Sequence, residues 1–361
     1  MLEKSSADRG ARARSAAAHE RLVAALSARH PLLEADGFEH HLFQTGDSVL
    51  KVYRWFRSEA LSLEAERAVR EVQRALHEVY APRLEAAVVA LDERGLVCAA
   101  GSPRVCCHAL SMRLAEPIAA DDWARPQPGW SRRAGAALAA CHRRAPRVAF
   151  PSSEPAAALE RLLVAAARVY DAERRRFPVE APLAELIRAH AGPLARAARA
   201  AIERQVVTCH GDLNTGNLVV CQGEVQFIDA GLAMPDGVGL AVDVPFDGGW
   251  DLALLAQSVA LFGGRAAARD LVAAYADEAG VSMSALAGDL RYWRALALLL
   301  TLAATMRYAA EIQDPARPFA LRRLPGFRLE TYVRWLVASL SMVLAASHTG
   351  AAADWTPCTE E

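Results

Sequence analysis

Hydrophobic and polar positions follow two patterns along the chain. Up to about residue 115, apolar residues come in short runs rich in β-branched and aromatic types, broken by turn residues; this pattern predicts strands. Phe38–Gln44 and Ser48–Tyr53 flank Thr45-Gly46-Asp47 and read as a hairpin. Gly37 stands just before it, where a residue without Cβ allows a tight bend or a close backbone approach. Ala86–Leu91, Leu96–Ala100 and Val105–Leu114 read as further strands. Between them, Leu61, Ala65, Val69, Val72, Leu76 and Val79 recur at helical spacing. They predict one helix over Ser58–Tyr80, with Ser58 as its N-cap. Residues 1–30 read as a helical or frayed lead-in.

After Glu116-Pro117 the pattern changes. Pro126, Pro128 and Gly129 mark a connection, and the chain then becomes Ala/Leu-rich with a helical period. Helices are predicted over 130–144, 155–173, 181–204, 250–262, 265–279, 284–310 and 328–347, with a loose tail over 348–361. The exception is 206–231, which reads as two short strands around a polar loop. The pattern therefore divides the chain into a lead-in (1–30), a β-rich lobe with one helix (31–115), a larger, mostly helical lobe (116–347) and a tail (348–361).

Composition narrows the class. At 361 residues, 53% hydrophobic and 23% charged, the chain can bury a large core in two lobes. A net charge of −1 provides no general field for nucleic acid or an anionic membrane, and neither is expected as a partner. Seven cysteines, an odd number without any C-x-x-C, favour free thiols in a reducing compartment. The longest apolar run, Ala295–Met306, is too short to span a bilayer as a helix, and the N-terminus lacks the apolar stretch of a secretion signal. The expected location is cytoplasmic. Oligomeric state is not encoded in any readable pattern.

The polar loop carries the candidate chemistry. "CHGDLNTGNLVV" places His210, Asp212 and Asn217 between two apolar runs. Twelve residues after Asn217, "VQFIDAG" sets Asp229 at the end of an apolar strand and two residues before a glycine. Upstream, "SVLKV" puts Lys51 on a strand, and a helix bearing Glu64, Glu66 and Glu71 follows. The order lysine, helix glutamate, aspartate, asparagine, aspartate matches the kinase signature set. "HGDLNTGN" most resembles the loop of the aminoglycoside phosphotransferase and choline kinase superfamily. "GGWDLALL", with Asp251, and "AGAALAACH", ending in His142, resemble two further segments of it.

That resemblance implies an α+β, bilobal protein-kinase-like fold and an ATP- and Mg2+-dependent transfer of phosphate to a hydroxyl group, most simply on a small molecule such as an aminoglycoside, choline-like amine or sugar. It implies Asp212 as catalytic base and Asn217 and Asp229 as metal ligands, since Mg2+ favours oxygen donors. Lys51 would hold the phosphates and Glu66 would hold Lys51, with Glu64 and Glu71 as rivals. Gly37 would lie over the phosphates. Met112, Arg113 and Leu114 would present backbone to the adenine. His210 would brace the loop. Asp251 would cap the helix beginning at Leu252 or support the catalytic loop, and His142 would serve as a core or capping residue. Residues 211–290 hold eleven acids against Arg265 and Arg269, which makes Asp236, Asp243 and Asp247 candidates for receiving an amine-bearing acceptor. Two other readings stay open: a kinase-like enzyme acting on Ser/Thr of a peptide, and a nucleotide-binding pseudokinase without turnover.

Overall fold

A computed structural model describes residues 6–33, 40–53, 63–99, 101–125, 129–145, 207–230, 245–246, 248–307, 309–313 and 328–349, with single helical positions at 185, 189, 192 and 196. The expected roles of Gly37, Ser58, Asp236, Asp243 and Asp247, the helices over 155–173 and 181–204, and the tail from 350 fall outside the described residues. The chain divides into two compact units, Met1–Glu116 and Pro117–Glu361.

The first unit is built on a five-stranded antiparallel sheet. Its strands are β1 (His40–Thr45), β2 (Ser48–Tyr53), β3 (Ala87–Leu91), β4 (Val97–Cys98) and β5 (Cys107–Arg113), in the spatial order β1-β2-β5-β3-β4. Thr45 pairs with Ser48 across a two-residue turn, in which Gly46 takes φ +70°. Among the described residues, this unit carries the α-helices α1 (Ser6–Ser27) and α2 (Leu63–Tyr80).

The register shows which face each helix covers. Phe43 lies opposite Leu50, and Leu91 opposite Cys107, so Phe43, Leu50, Val52, Leu91, Cys107 and Ala109 line one face. Leu22 and Leu26 of α1 complete that core. The N-terminal stretch read as a lead-in is therefore part of the first unit's core. The opposite face carries Lys51, paired with Leu110, and the backbone of β5 on this side meets buried side chains of α2.

The second unit is helical around a small β element. Among the described residues, its helices include α3 (Trp130–Arg144), α4 (Gly249–Ala279), α5 (Met283–Arg307), the short α6 (Ala309–Gln313) and α7 (Leu329–Thr349). α4 is interrupted at Gly264 (φ +78°), which explains the two separate helices the sequence predicts there. Small residues let α3 and α4 approach backbone to backbone: a Cβ at Gly135 would come within 2.1 Å of the Leu271 carbonyl oxygen.

The segment expected to hold two strands holds three: β6 (Val207–Thr208), β7 (Leu218–Cys221) and β8 (Glu224–Phe227). β7 and β8 form a hairpin through Gln222 and Gly223, both at positive φ (+53° and +77°), the conformation two-residue hairpin turns favour. A further short strand, β9 (Pro245–Phe246), pairs with β6. Among the described residues, no helix is long and apolar enough to cross a membrane. The six described cysteines are free.

Candidate active site

In the first unit, Lys51 is only 3% exposed, which rules out a solvated strand lysine. Of the three helix glutamates, Glu64 faces solvent and Glu71 pairs with Arg74 at 3.0 Å. Glu66 is 3% exposed, and its carboxylate accepts the backbone N–H of His108 at 2.8 Å. His108 and Leu110 alternate along β5, and Leu110 is the register partner of Lys51. Glu66 is thus the glutamate that reaches the Lys51 face of the sheet. Arg70, one turn further along α2, donates to the His108 carbonyl at 3.2 Å and stacks over Tyr53 at 3.7 Å. It fixes the helix against β5 beside Glu66.

The expected adenine-docking segment is partly committed already. The Leu114 N–H donates to the Asp47 carbonyl at 2.7 Å, and Arg113 pairs with Glu85 at 3.1 Å. The Leu114 N–H is therefore already committed within the first unit. Met112 is buried in β5.

In the second unit, the loop from His210 to Asn217 is held from several sides. Asp251, with no exposed surface, accepts the N–H of His210 at 2.7 Å and of Gly211 at 2.9 Å. These two bonds fix the backbone at the start of the loop from within the helix that carries Asp251. The His142 imidazole meets the same carboxylate through Nε2 at 3.1 Å, and its Nδ1 meets the Tyr275 hydroxyl at 2.8 Å. Burial by itself would raise the pKa of Asp251, but the His142 hydrogen bond and charge, with the Gly211 N–H, hold it below the usual carboxylate value. An ionised Asp251 only accepts, so the His142 Nε2 that faces it carries a proton.

His210 points its Nε2 at the Ile228 carbonyl, 2.9 Å away, which ties the loop to the end of β8. Trp250 Nε1 donates to the Gly211 carbonyl at 3.2 Å.

Asn217 and Asp229 are brought together by the β7–β8 hairpin. Leu218 pairs with Phe227, and the Ile228 N–H donates to the Asn217 carbonyl at 2.8 Å. Asp229 follows directly, at φ +63°, a left-handed conformation uncommon outside glycine and enriched at functional sites. Asn217 Nδ2 donates to the Asp212 carbonyl at 2.7 Å and lies 3.3 Å from its carboxylate Oδ2. The amide is thereby oriented with Oδ1 as its remaining acceptor. The Asp212 side chain is exposed. Asp212, Asn217 and Asp229 offer only carboxylate and amide oxygens as donors. That set suits a hard divalent cation that keeps waters and phosphate oxygens as its other ligands.

Several contributors were not singled out from the sequence. Ser258 accepts the Thr215 N–H at 2.9 Å. Tyr275 and Gly248 surround His142; a Cβ at 248 would come within 2.6 Å of its Nδ1. Ser258 lies seven residues after Asp251, on the same helix face, and that spacing was the available signal.

Over residues 35–275 the sequence matches the model of the phosphotransferase enzyme family. Solved structures give the same fold at low identity. A choline/ethanolamine kinase family protein from Mesorhizobium loti aligns with a TM-score of 0.55 at 19% identity, covering 89% of this chain and 94% of that one. Choline kinase from Cryptosporidium parvum aligns at 0.52 and 12%, covering 87% and 88%. An aminoglycoside 2′-phosphotransferase-IIIa variant in its GDP complex aligns at 0.51 and 13%, covering 87% and 91%. The fold is kinase-like, with a small antiparallel sheet in the first unit and helices in the second. A search of curated proteins gives no match.

Proposed function

The chain belongs to the phosphotransferase enzyme family, and from that premise we propose that it transfers the γ-phosphoryl group of ATP to a hydroxyl group of a small molecule, in the presence of Mg2+. In the transfer, the bond between the γ-phosphorus and the bridging oxygen breaks and ADP leaves. A new P–O bond forms to the acceptor, and the hydroxyl proton passes to a carboxylate. Asp212 is that carboxylate: it is exposed, and Asn217 orients it. Asn217 and Asp229 are the residues that would hold Mg2+, which neutralises phosphate charge when bound. Lys51 holds the α- and β-phosphates, and Glu66 keeps the lysine in place. Backbone groups of residues 112–115 other than the Leu114 N–H receive the adenine. Catalysis here is chiefly positioning, which is why so much of the second unit is devoted to holding one loop.

The observation that supports this reading best is the contact of Asn217 with Asp212, made on a loop whose backbone Asp251 holds from within the protein. A test is to incubate the purified protein with ATP and Mg2+ and follow nucleotide turnover with and without aminoglycosides, choline-like amines and sugars. Turnover that rises with one acceptor class supports the reading. Turnover that rises only with a Ser/Thr peptide favours the peptide-kinase alternative.

A further inference from the structure

α4 is rich in alanine and leucine, and serine is a weaker helix former than alanine in a helix interior. Ser258 nevertheless sits mid-helix, between Gln257 and Val259. Its hydroxyl accepts the Thr215 N–H at 2.9 Å and shares a second hydrogen bond with the Thr215 hydroxyl, also at 2.9 Å. Thr215 is 6% exposed, so water is a poor substitute partner for that N–H. Asp251 precedes Ser258 by seven residues on this helix, about two turns or roughly 10.5 Å of rise, so both project from nearly the same side. One helix face thus grips the loop twice, at His210-Gly211 and at Thr215.

Thr215 opens the three-residue 3-10 turn Thr215–Asn217. Within that turn, the Asn214 side chain accepts from the Gly216 N–H at 2.9 Å, and the Asn217 N–H donates to the Asn214 carbonyl at 3.0 Å. In so short a turn, the position of Thr215 sets the position of Asn217.

We infer that Ser258 is a positioning residue for Asn217, a second clamp that fixes the turn carrying the proposed metal ligand. The importance of Asn217 rests on the phosphotransfer reading; the clamp does not. Ser258 touches neither substrate nor metal and acts only through Thr215.

The test compares the full-length wild type, S258A and S258T by two readouts. The first is amide hydrogen exchange in metal-free protein. The Thr215 amide should be protected in the wild type and in S258T, and exchange about tenfold faster or more in S258A, where its acceptor is lost together with the hydroxyl–hydroxyl bond. His210 and Gly211, still held by Asp251, should be unchanged. The second readout is the Mg2+ concentration at half-maximal activity. It should rise about tenfold in S258A and return toward the wild-type value in S258T, the scale seen when groups supporting a metal ligand are removed. Unchanged exchange at Thr215 in S258A overturns the clamp, as does S258T failing as badly as S258A. Fast exchange of the wild-type Thr215 amide overturns it even if S258A cannot be purified. The exchange readout needs no acceptor and so decides the clamp even if the wild type proves not to transfer phosphate.

Discussion

Asp251, fully enclosed in the second unit, accepts the backbone N–H of His210 at 2.7 Å, forty-one residues earlier in the chain. A buried carboxylate is costly unless it is hydrogen-bonded, and this one gathers the N–H groups of His210 and Gly211 and the imidazole of His142. Its charge holds the start of the loop that carries Asp212.

Removing one member of such a buried charged network costs about 3–5 kcal/mol. D251A is therefore expected to lower stability by that order and to abolish turnover. D251N, which keeps the shape, should lose less. The pKa of Asp251 is lowered in the folded protein, so its contribution is fully present above the unfolded carboxyl value of about 3.9 and is lost as pH falls through the folded value. The gap in Tm between wild type and D251N, measured against pH, should be constant near neutrality and narrow only in acid. A gap that narrows near pH 6 would contradict the assignment.

Gly248 borders the other side of His142. A methyl group there would meet His142 Nδ1 at 2.6 Å and the Tyr275 hydroxyl at 3.1 Å. G248A is expected to destabilise the protein by about 1–3 kcal/mol, the usual cost of overpacking a close-fitted site. Chemical denaturation reads this directly, and a stability equal to wild type would show that the His142–Tyr275 contact is not tight in solution.

Glu66 offers a choice among three glutamates that sequence spacing left open. E66A leaves the buried His108 N–H without its acceptor, a loss of about 1.5–3 kcal/mol for a hydrogen bond to a charged group. It should also raise the KM for ATP and lower kcat, as should K51A. E64Q, at an exposed position, should change neither. Equal effects from E64Q and E66A in steady-state assays would remove Glu66 from its role.

The legible parts of this molecule were those with a strong local code. The turn at Gly46, the break at Gly264 and the helix Trp130–Arg144 follow from glycine punctuation and from apolar period. The positions of Asp212, Asn217 and Asp229 follow from spacing. What the sequence left open depended on contacts between distant segments. Nothing local tells that Asp251 turns to the His210 backbone. Nor does anything local tell that the Leu114 N–H is taken by Asp47. The Gln222-Gly223 hairpin is different: its glycine is a local turn signal, but the strands on either side are only four residues each, too short for a clear period.

The central claim is that the loop bearing Asp212 directs phosphate to a small-molecule hydroxyl. The most direct measurement is mass detection of product after the wild type and D212N are each incubated with ATP, Mg2+ and a panel of aminoglycosides, choline-like amines, sugars and peptides. The wild type should add one phosphoryl group to a small-molecule acceptor in the panel, only with Mg2+ present. D212N should bind nucleotide as well but form product slower by about 10² or more, the typical contribution of a positioned general base. A D212N rate close to wild type, or phosphate appearing on peptides alone, would contradict the claim.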